Sequence, residues 1–236
     1  MPLTRVKANI ATRFNPVLVN LRHLESEENL IYTAEIETAD KPNEEVHKIQ
    51  KGLYFVHLYS AFEKSINEAV ERCLLYIESK GVPHQHYALP FNSIALDANL
   101  MSLKSARKDR IMERSISLFE TMGCNSHTRI NEAMFGAKLQ NVWFDTLQQT
   151  MACFGASAIA DHTGTLKTSI DEVVDKRNAV AHGRIPTDRV GERQRCDILR
   201  LRTTAVQTTL SLMIDSFEQY LSNCEFVAPQ FVNNYQ

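Results

Sequence analysis

The sequence predicts an all-α protein, and three observations carry that prediction. Eight Gly and seven Pro in 236 residues are about half the ordinary usage, too few for the turns of a β-sandwich or barrel. Apolar residues recur at spacings of three and four over long stretches, the period of a helix and not of a strand. Proline and glycine stand where helices start and stop, as in Asn15-Pro16 and His182-Gly183.

Taken in order, Asn15-Pro16 reads as a cap followed by the first helical residue, with Val17, Leu21 and Leu24 on one face, and this helix ends before Asp40-Lys41-Pro42-Asn43. From Glu44 to about Ser79 the residues Ile49, Leu53, Val56, Tyr59, Phe62, Ile66, Ala69, Cys73 and Ile77 keep helical period. Gly81-Val82-Pro83 closes that helix, and a loop with two exposed histidines, His84 and His86, runs to Pro90. A helix is expected from Leu96 to Met122, carrying the basic run Lys104, Arg107, Lys108, Arg110 and Arg114, which reads as a solvated face. Leu139 to Phe154 forms another helix with Trp143 on it. Ser169-Ile170-Asp171-Glu172 has the form of a capping box, so the next helix should start at Ile170 and stop at His182-Gly183. A last helix spans Val190 to Leu221, packing Ile198, Leu201, Ala205, Leu210, Met213, Phe217 and Tyr220, before a tail from Cys224 to Gln236.

Composition excludes several classes of function. Lys and Arg number 26 against 28 Asp and Glu, so the chain is no uniformly basic nucleic-acid coat. An apolar share of 44% is too high for a disordered chain. The five cysteines are scattered without a C-x-x-C pair and read as reduced, mostly buried thiols. The segment MPLTRVKANIATRF has no form of a secretion signal, and no apolar run approaches the roughly 18 residues of a membrane span, so a cytoplasmic protein without membrane contact is expected. No nucleotide-cradling glycine loop, serine-hydrolase elbow or metal-ligand spacing is present, and neither a cofactor nor a metal is expected.

The segment Asp175-Lys176-Arg177-Asn178-Ala179-Val180-Ala181-His182-Gly183 carries the chemistry. Arg177 falls on the apolar stripe Ile170, Val173/Val174, Val180/Ala181, and a guanidinium in that register needs a carboxylate or phosphate beside it. His182 sits at the helix end, where the chain is free to turn. Five residues separate the two, about 140° around an ideal helix, so they converge on one phosphodiester most readily if a second copy of the helix faces the first. Valines 173, 174 and 180 left beside a cation predict a homodimer whose interface includes residues 170 to 190. Eight basic against three acidic residues from Lys176 to Arg202 add a local positive excess that would attract RNA.

Arg177-Asn178 through His182-Gly183, followed by Arg184-Ile185-Pro186 and a long terminal helix, resembles the HEPN superfamily, whose signature is R-x(4–6)-H. Leu58 to Glu63 in the long helix and the region from Asn141 to Gly155 are similar to RiboL-PSP-type members of it. The resemblance implies a HEPN-like up-and-down bundle over residues 44–222, with an N-terminal helical extension (1–43), a helical middle insertion and a C-terminal tail (223–236). It further implies a metal-independent endoribonuclease that cleaves single-stranded RNA by attack of the ribose 2′-OH, acting as a toxin or phage-defence effector with an antitoxin or other defence-system protein as partner. In that setting His182 is the general base, Arg177 the stabiliser of the phosphorane, Asn178 a contact to phosphate or sugar, and Glu63 the carboxylate orienting Arg177. Lys176, Arg184 and Arg189 are the expected RNA contacts. The blander reading is that Arg177 makes a structural salt bridge and His182 merely caps a helix, as any helical bundle could contain; the alternative function is an inactive HEPN-like dimer serving as a nucleotide-binding or protein-interaction module.

Overall fold

The computed structural model describes residues 2–32, 42–127 and 129–236. They form an all-α fold with no strand among the described residues. In chain order the helices are α1 (Thr4–Tyr32), α2 (Glu44–Ser79), α3 (Asn92–Ala95), α4 (Asp97–Lys104), α5 (Ile111–Met122), α6 (Phe144–Phe154), α7 (Thr165–Ala181), α8 (Thr187–Glu192) and α9 (Cys196–Ser222). None of them is long and apolar enough to cross a membrane.

Helix α2 is the axis of the bundle, packed by α1, α7, α8 and α9. Asn43 caps it, its side-chain oxygen accepting from the Glu45 and Val46 N–H groups, with Glu44 and Glu45 in the positive first turn. Tyr54, Phe55, Leu58, Phe62, Ile66 and Leu74 are buried along its length. The buried face is not the one the apolar period suggests at the N-terminal end. Ile49 and Leu53 are exposed, while His47, Lys51 and Gly52 face inward, because α8 crosses there at backbone contact. A Cβ on Gly191 would sit 1.8 Å from the Lys48 carbonyl oxygen, and one on Gly52 would sit 2.1 Å from that of Thr187. Two facing glycines admit this crossing, and no larger residue fits at either position.

Several boundaries differ from the sequence reading, each for a local reason. Helix α1 begins at Thr4 and runs through Pro16. Proline cannot bond to the Thr12 carbonyl, but both residues are exposed and water can satisfy that group. Phe14, Val17, Leu21 and Leu24 of α1 belong to the same core as α2 and α9. The Asp40-Lys41 stop signal lies outside the described residues. The middle helix is divided into α4 and α5 by a break at Ser105–Arg107, and neither half buries a residue. Trp143 precedes α6 as its N-cap residue instead of riding on it, and the Asp171 carboxylate of α7 caps α6 by accepting from the Phe144 N–H at 3.0 Å.

Ser169 is no cap. Helix α7 begins four residues before it, and Ser169 is buried, its hydroxyl accepting from Arg202, whose guanidinium also grips the Glu172 carboxylate. The last helix is likewise two, with α8 separated from α9 at Arg193–Arg195, and Leu201 is exposed instead of packed. The C-terminal tail docks on the loop after α2. Ala88 N–H donates to the Phe226 oxygen and Ala228 N–H to that of His86. His86 stacks on Phe231 and its Nδ1 lies 2.6 Å from the Tyr235 hydroxyl, while His84 is buried, so neither is the free loop histidine expected.

Candidate functional site

The motif helix α7 ends as the sequence indicates. His182 is the C-cap residue, Gly183 takes a left-handed φ of 63°, and the N–H groups of Arg184 and Ile185 turn back onto the Ala179 carbonyl. Pro186 then leads into α8, which the Gly52–Gly191 crossing pins against α2. The turn after the motif is therefore fixed at both ends, and it leaves the His182 ring exposed to solvent.

Arg177 lies on the inner side of this helix end. Its guanidinium is stacked over the Tyr59 ring, 3.7 Å from the centroid, and Nη2 donates to the Gln140 carbonyl at 3.3 Å and to Asn141 Oδ1 at 3.5 Å. Glu63 Oε2 is 4.0 Å away, at the outer limit of an ion pair. Asp171 is engaged as the α6 cap and Asp175 faces Arg184 at 3.9 Å, so Glu63 is the carboxylate that Arg177 meets. Burial raises the Glu63 carboxyl above its ordinary value, and the Arg177 charge works against that rise. The Arg177 side chain is 15% exposed, and its Nε is buried without a hydrogen-bond partner among the described residues.

Tyr59 and the segment before α6 hold this arrangement, and sequence reasoning gave neither a role in the site. The Tyr59 hydroxyl accepts from the buried Val142 N–H at 2.8 Å and donates to the Gln140 carbonyl at 3.4 Å, the same oxygen that receives Arg177. Burial pushes the Tyr59 phenol up, so it stays a neutral donor. Asn67 donates to the Leu139 carbonyl one residue earlier. A tyrosine at helical period looks like core, and Asn141 carries no motif; only the need of Arg177 for acceptors could have pointed to them.

Asn178 faces inward. It is buried, with Nδ2 donating to Asn141 Oδ1 at 3.2 Å and Oδ1 unpaired among the described residues, so its side chain ties α7 to the 141 segment. Much of the local positive charge is already matched. Arg184 faces Asp175, Arg189 binds Glu192 at 3.0 Å, Arg195 binds Asp197, Arg200 binds Glu25 and Arg202 binds Glu172. Lys176 and Arg193 have no ion-pair partner among the described residues.

Two of the three valines expected at a dimer contact are already used, and Val180 is half-buried against the same core. Val173 and Val174 are 1% and 0% exposed in the core of the single chain. Among the described residues, uncovered apolar surface lies on α5, where Met112, Ile116 and Phe119 are 73%, 56% and 66% exposed, and, nearer the motif, on α2, where Val46, Ile49 and Leu53 are 47%, 37% and 49% exposed. With Val56, Ser60 and Glu63 they continue at spacings of three and four along one stripe that ends at Arg177. Ile185, just past the motif, is also exposed.

No curated protein and no solved structure matches the chain. The family model described as RiboL-PSP-HEPN matches residues 20–223, from the middle of α1 to the end of α9. The span takes in the all-α bundle, the Arg177–His182 helix end and the Tyr59 contact described above, and the chain belongs to the RiboL-PSP-HEPN family.

Proposed function

We propose that the protein is a metal-independent endoribonuclease acting on single-stranded RNA at Arg177 and His182. The observation that carries this reading is the pairing of an Arg fixed on Tyr59 and Gln140 with a solvent-exposed imidazole at the end of the same helix. His182 takes the proton from a ribose 2′-OH, and the 2′-oxygen attacks the adjacent phosphorus. Arg177 stabilises the charge on the phosphorane. The bond to the 5′-oxygen breaks and that oxygen takes up a proton, leaving a 2′,3′-cyclic phosphate and a 5′-hydroxyl. Glu63 and Tyr59 position the guanidinium. Lys176 is the basic neighbour best placed to meet further phosphates, with Arg184 and Arg189 reaching RNA only in exchange for their carboxylates.

The exposed α2 stripe supports a homodimer. Pairing Val46, Ile49 and Leu53 with their counterparts would bury them and bring two Glu63–Arg177 ends toward one axis, so the interface we propose is α2 together with the turn at His182–Ile185. A cytoplasmic role as toxin or phage-defence effector, held silent by an antitoxin or other defence-system protein, belongs to the same proposal.

A second reading, an inactive dimer serving as a nucleotide-binding or protein-interaction module, draws on one observation: Arg177 is largely covered by Tyr59, Gln140 and Asn141. One experiment separates them. Single-stranded RNA incubated with the protein in EDTA should yield fragments with cyclic phosphate ends. Retention of RNA without cleavage supports the second reading, and cleavage only on adding Mg²⁺ overturns the first.

A further inference from the structure

Near the α2–α8 crossing, three side chains that no motif connects come together. A nitrogen of His47 on α2, the thiol sulfur of Cys196 at the start of α9 and a carboxylate oxygen of Glu28 on α1 all lie within 4.8 Å of one another. His47 and Cys196 are buried at 1% and 2% exposure. His47 Nδ1 is 3.1 Å from Glu27 Oε2, an arrangement that places the ring proton on Nδ1 and leaves Nε2 as the lone-pair atom. That Nε2 is buried and has no hydrogen-bond partner among the described residues, an unfavourable state for a polar atom unless something binds it.

We propose that Glu28, His47 and Cys196 form a binding site for one thiophilic divalent cation of the zinc class, which ties α1, α2 and α9 together. The donor set of one thiolate, one imidazole and one carboxylate suits zinc and leaves a fourth position for water. Glu27 behind His47 supplies the hydrogen bond that orients a ligating imidazole. Tetrahedral coordination sets ligand atoms about 3.5 Å apart, so side-chain adjustments of about 1 Å close the site. Cavities of about 550 Å³, lined by Glu28, Lys51 and Gln194, and about 670 Å³, lined by Glu28 and Cys196, give the ion and its water a way in. On binding, the Cys196 S–H bond breaks, a sulfur–metal bond forms and the proton leaves to solvent; nothing is oxidised or reduced. Lys51, buried and 3.3 Å from Glu28 Oε1, is the resident cation that the metal competes with.

The test is a titration of the full-length reduced protein, stripped by chelator, with Co²⁺ as spectroscopic probe and Zn²⁺ as competitor. One equivalent of Co²⁺ should produce a thiolate-to-metal charge-transfer band that Zn²⁺ abolishes. The band should be absent in Cys196→Ser, persist in Cys124→Ser, and need about tenfold more Co²⁺ in His47→Gln. Lys51→Met should bind more tightly, which keeps the test decisive if Cys196→Ser does not fold. Absence of the band in the folded wild type, its survival in Cys196→Ser, or an unchanged midpoint in Lys51→Met overturns the site. Loss of a structural ion would appear as slow inactivation, so initial rates of RNA cleavage in EDTA still report on the chemistry alone.

Discussion

Tyr59→Phe removes one oxygen atom and tests whether the 140 segment is what holds Arg177. The Tyr59 hydroxyl accepts the Val142 N–H at 2.8 Å, and Val142 is fully buried. Phenylalanine keeps the ring under the guanidinium but leaves that N–H without an acceptor in a dry site, which costs about 1–3 kcal/mol. The second bond, to the Gln140 carbonyl at 3.4 Å, is long and adds little. A loss of about 2 kcal/mol in a chain of this length lowers the melting temperature by about 4–8 °C. Urea denaturation of wild type and variant measures it, alongside RNA cleavage at a temperature where both are folded. Cleavage should fall, because the 140–142 segment that receives Arg177 is no longer tethered at Val142. Stability within about 0.5 kcal/mol of wild type, together with unchanged cleavage, would refute the view that Tyr59 is the anchor of the site.

Gly191→Ala should destabilise by about 3 kcal/mol or more, since its Cβ would lie 1.8 Å from the Lys48 oxygen and the backbones must separate; a melt at or above the wild-type temperature would contradict the close crossing. Gly183→Ala, with open space around its Cβ but a φ of 63°, should cost only about 1 kcal/mol in the same assay. Burial, with the neighbouring His127 charge adding to it, holds His84 below its ordinary value of 6.5. The unfolded chain therefore takes up the proton first, and stability present above pH 6.5 is lost as pH falls from there through the lowered value of the fold. Urea melts at about pH 7.5 and pH 5.5 should show that loss in wild type and less of it in His84→Gln, and an equal loss in both would count against it. Leu53→Glu, on the exposed stripe of α2, should yield a folded monomer by light scattering; an unaffected dimer would place the interface elsewhere.

Where local chemistry decides the structure, the sequence was readable. Asn43 with two following glutamates marks the start of α2, and glycine after His182 marks the end of α7. What could not be read depends on partners distant in the chain. Pro16 is harmless inside α1 because its face is wet. Ser169 and Glu172 have the form of a cap, yet both serve Arg202 some thirty residues on. Ile49 and Leu53 keep the core period of α2 but lie outward, because a glycine between them faces α8. In the candidate site, Arg177, Glu63 and His182 were legible from motif and register, whereas Tyr59 resembled core and Asn141 resembled loop. Glu28, His47 and Cys196 have no common spacing, and only the packing of three helices makes neighbours of them.

Arg177 and His182 are the two groups to which we assign the cleavage itself. The most direct measurement is the initial rate on a single-stranded RNA, in EDTA, for wild type, Arg177→Ala and His182→Ala. His182 is exposed at a helix end, so its removal should leave the melting temperature unchanged; Arg177→Ala should melt somewhat lower and is assayed where it remains folded. Each variant should lose at least roughly a hundredfold in rate, the scale of a general base or a charge stabiliser, with cyclic phosphate ends only on the wild-type products. Cleavage at the wild-type rate by a folded His182→Ala protein would rule out His182 as the base.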